Sequence, residues 1–196
     1  DKGLRDEDGN PIRVSDWRDI KYDFQTSQDR YRWIEYHKWS FKGSVFAKLV
    51  GDLVLMARAQ FGYLGYYNRN WGYSPFEGFR VGGDGMSGYD TYGSEIVSLR
   101  GYSNYSLTPL ASENSSTGNY YAGNVYDKFT VQLRYPVILQ PQSTIFALVF
   151  LEGGNCWSDI RHFNPFQIRR SAGVGARVFL PMIGLLGVDW GYGFDN

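Results

Sequence analysis

The chain has 196 residues, enough for one domain with a sizeable core, and its 20 basic and 20 acidic residues cancel, which removes the general electrostatic case for nucleic acid. Aromatic residues make up 18% of it beside 24 glycines, a mixture that favours strands over helices. The single cysteine, Cys156, excludes an internal disulfide framework, and the longest apolar run, Ile145 to Leu151, falls far short of the roughly 20 residues of a membrane-spanning helix.

The opening residues Asp1-Lys2-Gly3-Leu4-Arg5 hold no basic stretch followed by an apolar core, so no signal peptide is expected. A first strand is expected around Asp16 to Thr26. From Tyr31 to Val50 the odd positions read Tyr31, Trp33, Glu35, His37, Trp39, Phe41, Gly43, Val45, Ala47 and Leu49, against Arg32, Lys38, Ser40, Lys42, Ser44 and Lys48 on the even ones. This sustained period of two predicts a strand with one apolar face. After the turn at Val50-Gly51-Asp52 a second strand carries Leu53, Leu55, Ala57, Ala59, Phe61 and Tyr63 on one face and Asp52, Arg58 and Gln60 on the other, completing a hairpin.

A connection rich in Gly, Ser, Asn and Tyr follows over 68–124. Phe129, Val131, Leu133, Tyr135 and Val137 then oppose Thr130, Gln132 and Arg134, up to a turn at Gln140 to Ser143. Ile145 to Glu152 is less regular, because Phe146, Leu148 and Phe150 take the face that should be polar, which reads as a strand with something packed against it. Beyond a second long connection at 155–166, Ala172, Val174, Ala176, Val178 and Leu180 oppose Arg169, Ser171 and Arg177. Past the turn at Pro181 to Gly184, Leu186, Val188, Trp190, Tyr192 and Phe194 oppose Asp189 and three glycines. The last residues stop as a strand would be turning, so the chain reads as a piece of a longer one.

About seven strands, with short turns near 50, 141 and 183 and long loops between, give the arrangement of an all-β, antiparallel transmembrane barrel with a wet lumen. A soluble β-sandwich also alternates, yet it seldom needs aromatic-rich faces on every strand or a loop of about 55 residues.

The long connection contains Gly82-Gly83-Asp84-Gly85 and then Ser98-Leu99-Arg100-Gly101-Tyr102, which resembles the Arg-Gly-aromatic motif on the inward-folded loop of BamA-type barrels. In order downstream, Tyr126-Asp127-Lys128-Phe129 to Pro136, Phe150 to Asn155, Arg170 to Gly175 and Phe179-Leu180-Pro181 to Phe194 resemble that family's closing strands. Trp33 to Trp39 is similar to the form in Bacteroidetes-type members. The resemblance covers residues 30 to 195. It implies the C-terminal part of a sixteen-stranded barrel in the bacterial outer membrane, without the POTRA domains, the first half of the barrel and the last strand. It also implies a central insertase subunit that folds and inserts β-barrel proteins through a seam between first and last strands. No ATP, cofactor or enzymatic reaction is implied. Expected partners are unfolded outer-membrane proteins, accessory lipoproteins, surface-exposed proteins, the lipid bilayer and lipopolysaccharide. The alternatives are a polypeptide transporter of the same superfamily, which shares the motif, and a passive porin.

Arg100 is the residue expected to carry a role, since a guanidinium on a lumenal loop needs a carboxylate and its planar fork favours two parallel hydrogen bonds. Glu152 is the preferred partner, in the position where the family carries an acidic residue facing the motif, and Asp189 is the reserve. Gly101 allows a close or positive-φ turn, and Tyr102 is expected to pack on the wall formed by Phe146, Leu148 and Phe150. Trp33, Trp39, Tyr63, Trp190 and Tyr192 read as membrane-interface belt residues.

Gly83-Asp84-Gly85-Met86-Ser87-Gly88 has dinucleotide-fingerprint spacing but neither a preceding parallel-strand run nor a following helix pattern. His37 and His162 lie far apart without a ligand cluster, so no metal site is expected. Ser87 lacks the second glycine of a nucleophile elbow, with Tyr89 in its place.

Overall fold

The computed structural model describes residues 35–67, 72–85, 93–112, 120–140, 143–182 and 184–195. The strand expected at Asp16 to Thr26 and the belt residue Trp33 lie outside these. In chain order the described strands are β1 (Tyr36–Lys48), β2 (Val54–Tyr66), β3 (Phe79–Val81), β4 (Glu95–Val97), β5 (Leu110–Ser112), β6 (Tyr120–Tyr121), β7 (Val125–Gln140), β8 (Ser143–Trp157), β9 (Arg169–Leu180) and β10 (Gly184–Gly193). Six of them form one sheet in the order β1-β2-β7-β8-β9-β10, each antiparallel to its neighbour. The connection between β2 and β7, expected as a long inward-folded loop, contains a parallel β3–β4 pair and an antiparallel β5–β6 pair.

The period of two sorts the side chains as the sequence predicts. Trp39, Phe41, Val45, Phe129, Val131, Tyr135, Val149, Leu151, Val174, Val188 and Trp190 are all exposed on one face, Val188 at 77% and Val45 at 70%. This is the outer face. The other, inner face carries Arg58, Thr130, Glu152, Ser171 and Gly193 in a single cross-strand row.

β7 and β8 run several residues past the apolar stretches that announced them, since Gly153, Gly154 and Val125 to Lys128 add no alternation signal yet pair in full register. Pro136 sits beside a register shift in β7, where a missing N–H costs least.

The hydrophobic core lies between the inner face and the long connection. Leu64, Tyr126 and Cys156 from the sheet pack with Phe79, Val81, Val97, Leu99 and Tyr102 from the connection. Phe79 stacks at a tilt on Tyr126, with ring centroids 4.7 Å apart. Burying the larger apolar side chains among these is worth about 1.5–3 kcal/mol each against exposure, which holds the connection against the sheet. Lys38 and Lys42 of β1 add rim ties to Glu77 (3.3 Å) and Glu95 (2.7 Å).

Candidate functional site

β3 and β4 deliver the motif to the inner face. Gly83 bridges Leu99, whose N–H donates to the Gly83 carbonyl over 3.0 Å, and Leu99 is fully buried. Arg100, next along, therefore faces the sheet. Its backbone N–H donates to Glu152 Oε2 (3.0 Å), its Nη2 donates to Glu152 Oε1 (2.7 Å), and its Nη1 donates to Asp189 Oδ2 (3.1 Å). The guanidinium carbon lies 3.6 Å from the centroid of Phe150, a desolvated cation–π contact of the stronger kind. Both carboxylates that the sequence offered as alternatives are engaged at once, because the fork of Arg100 spans from β8 to β10.

Two cations and a hydroxyl converge on Glu152, whose side chain is 2% exposed. Besides Arg100, Lys128 Nζ lies 3.3 Å from Oε1 and donates to the Ser98 carbonyl, and Thr130 Oγ1 donates to Oε1 over 3.2 Å. A carboxylate this deep is tolerated because both oxygens accept hydrogen bonds, Oε1 from charged and hydroxyl donors and Oε2 from the Arg100 backbone N–H. Asp189 is shared with Arg177, which forks onto it at 2.7 and 2.6 Å. The cluster thus joins Arg100, Lys128 and Arg177 with only two acids.

A trough of bare backbone receives the loop. Phe150 is flanked in register by Gly173, which pairs with Gly191. A side chain at Gly191 would sit 3.1 Å from the Phe150 ring and 3.2 Å from Gly101 N. Gly101 itself has φ +91°, and a Cβ there would come within 2.8 Å of Gly193 N. Both the sign of φ and the backbone-to-backbone approach require glycine.

That turn redirects Tyr102, which corrects the expectation that it packs on Phe146, Leu148 and Phe150. Its ring lies in the core cluster with Leu99 and Tyr126, and its hydroxyl donates to the Arg170 carbonyl (2.7 Å) and accepts from Asp195 N (3.4 Å). Phe150 is covered by Arg100 instead. Desolvation pushes the Tyr102 phenol above its ordinary pKa.

Trp39, Trp190 and Tyr192 are exposed on the outer face and Tyr63 is half-buried beside His37, all toward the loop end of their strands. Lys128 and Thr130 were not singled out from the sequence, although their inward register opposite Glu152 was available from the period of two. Among the described residues no group of three or more His, Cys, Asp or Glu is placed to hold a metal.

An antiparallel sheet that turns an apolar face outward, with its core and its buried charges on the opposite side under a folded-in loop, defines a transmembrane β-barrel wall of the outer-membrane type. The chain belongs to the Omp85 superfamily, whose domain matches residues 19–196, and it is accordingly a bacterial outer-membrane protein. Among solved structures it is similar to BamA from Haemophilus ducreyi lacking POTRA domains 1-3, with a TM-score of 0.57 and 18% identity over 83% of this chain. The chain spans 32% of the length of that protein. Sequence comparison with curated proteins gives no match.

Proposed function

We propose that the chain is the C-terminal part of the barrel of an insertase, the central subunit of the machinery that folds β-barrel proteins into the outer membrane, and that it performs no enzymatic reaction. The observation that carries this reading is Arg100 held between Glu152 and Asp189 with Gly101 seated on bare backbone at Gly193. One loop thereby grips β7 through Lys128, β8 through Glu152 and β10 through Asp189.

An insertase must keep its wall in register while client strands are added at a seam, and such a loop opposes strand slippage without any energy source. The clients would be unfolded outer-membrane proteins. Accessory lipoproteins and surface-exposed proteins would assist, in a setting of bilayer and lipopolysaccharide. The Trp33 to Trp39 segment and the ordered closing-strand motifs support a Bacteroidetes-type insertase over the superfamily's polypeptide transporters. A loop packed into the inner face also opposes the steady conductance of a porin.

The test places R100E, E152R and the double variant in the whole protein and scores the cell's folded outer-membrane proteins. Depletion by each single change with recovery in the double supports the insertase. Normal levels together with loss of one secreted polypeptide would move the assignment to the transporter.

A further inference from the structure

The connection between β8 and β9 folds down onto the outer face rather than standing away from it. Asn155 Nδ2 donates to the Gln167 carbonyl (2.7 Å), and Phe163 meets Trp157 and Phe61 edge-on at 5.0 and 5.5 Å. Between this connection and β1, β2 and β7 lies a hollow of about 440 Å³, within the roughly 300–1,000 Å³ of small-molecule sites. Gly43 and Ala59, register partners, form its floor, and Phe41, Phe61, Phe129 and Phe163 its walls.

Asp127 also lines it. The residue is 2% exposed although its register places it with Phe129 and Val131 on the apolar face. Its Oδ1 accepts from Asn155 N (3.1 Å), whereas Oδ2 is buried without a partner. An unsatisfied carboxylate oxygen among apolar groups is costly and calls for a donor. The depth is informative too. Trp39 and Tyr63 pair one same-face step nearer the loop end than Phe41 and Phe61, and Asp127 pairs with Phe61. At about 3.4 Å per residue along a strand tilted by about 40°, Asp127 lies about 5 Å to the membrane side of these aromatics, where lipid chains join their headgroups.

We propose that this hollow binds an outer-leaflet glycolipid whose acyl chain is joined by an amide to an amino sugar. The chain lies over Gly43 and Ala59, and the amide N–H donates to Asp127 Oδ2. Ester-linked phospholipids offer only acceptors at that depth and leave the oxygen unpaired, so the site selects the amide. The inference rests on the outer-membrane location and not on the insertase reading.

The experiment titrates the full-length protein in detergent with an N-acyl glucosamine lipid and with phosphatidylglycerol of equal chain length, counting bound lipids by native mass spectrometry. One site should take the amide lipid roughly five- to tenfold more tightly, the equivalent of one net hydrogen bond. Gly43→Phe fills the floor, where no atom lies within 4 Å of an added Cβ; this variant, checked for an unchanged β-sheet circular dichroism spectrum, should lose the site for both lipids. Asp127→Asn keeps the acceptor for Asn155 N but replaces the free oxygen with a donor, and should bring the two lipids to equal affinity. Equal binding of both lipids by the unaltered protein, or full retention by Gly43→Phe, overturns the proposal. Neither result bears on insertion of client barrels.

Discussion

The two faces of the sheet invert the usual relation between polarity and burial. On the outer face Val45, Leu151, Val188 and Trp190 are open, while on the inner face Glu152, Lys128, Thr130 and Ser171 are buried. In a sandwich in water the same alternation would hide the valines and solvate the charges. Here the outer partner is hydrocarbon, and the inner charges are covered by a loop that brings their counter-ions with it. A period of two thus says which residues share a face, and the surroundings decide which face is dry.

The strongest way to break this contrast is to strand the inner acids. R100E leaves Glu152 without its main donor and beside a like charge, and breaking a buried pair costs about 3–5 kcal/mol. Urea unfolding of the membrane-inserted full-length protein should show that loss, with recovery on adding E152R; an unchanged midpoint would mean the cluster is solvated. Next comes the outer face, where Val188→Arg should cost about 2–4 kcal/mol in the bilayer, as a cation near the midplane of a barrel wall does. The same variant in a polar detergent should be nearly neutral. Equal losses in both would mean that Val188 contacts protein.

Gly101→Ala strains a residue at φ +91° and crowds the Gly193 backbone, for an expected loss of about 1–3 kcal/mol. Protease nicking of 98–106 should rise in parallel. Tyr102→Phe removes one hydrogen bond to the Arg170 carbonyl, worth about 1 kcal/mol, and should loosen 193–195 without disturbing Arg100. The smallest effect concerns pH. Hydrogen bonding from Arg170 holds the Asp195 carboxyl down at about 2, below its ordinary 3.8. A depressed carboxylate contributes above its unfolded pKa and is lost as pH falls through the folded one, so exchange protection of Phe194 N–H, bonded to the Arg170 carbonyl, should persist at pH 4 and fade toward 2. In Asp195→Asn the protection should no longer vary across that window.

Phe146, Leu148 and Phe150 marked β8 as irregular, and Leu148 and Phe150 are indeed buried on the inner face. The occupant over Phe150 could not be named from sequence, because choosing between Arg100 and Tyr102 depends on the hand of one turn at Gly101. Asp127 departs from the alternation in the opposite sense. It falls on the apolar face by period, and only a connection some 30 residues later, folded down through Phe163 and Gln167, buries it.

By itself the sequence determined the strands of the large sheet, the sharing of faces and the Arg-Gly-Tyr motif, since alternation and turn chemistry act over two to four residues. The tertiary structure alone decided that Arg100 spans both Glu152 and Asp189, that Lys128 and Thr130 complete the site, and that the long connection carries the core. Those contacts join residues 22 to 89 positions apart, and such distances in the chain are closed only when the sheet places β7, β8, β9 and β10 side by side.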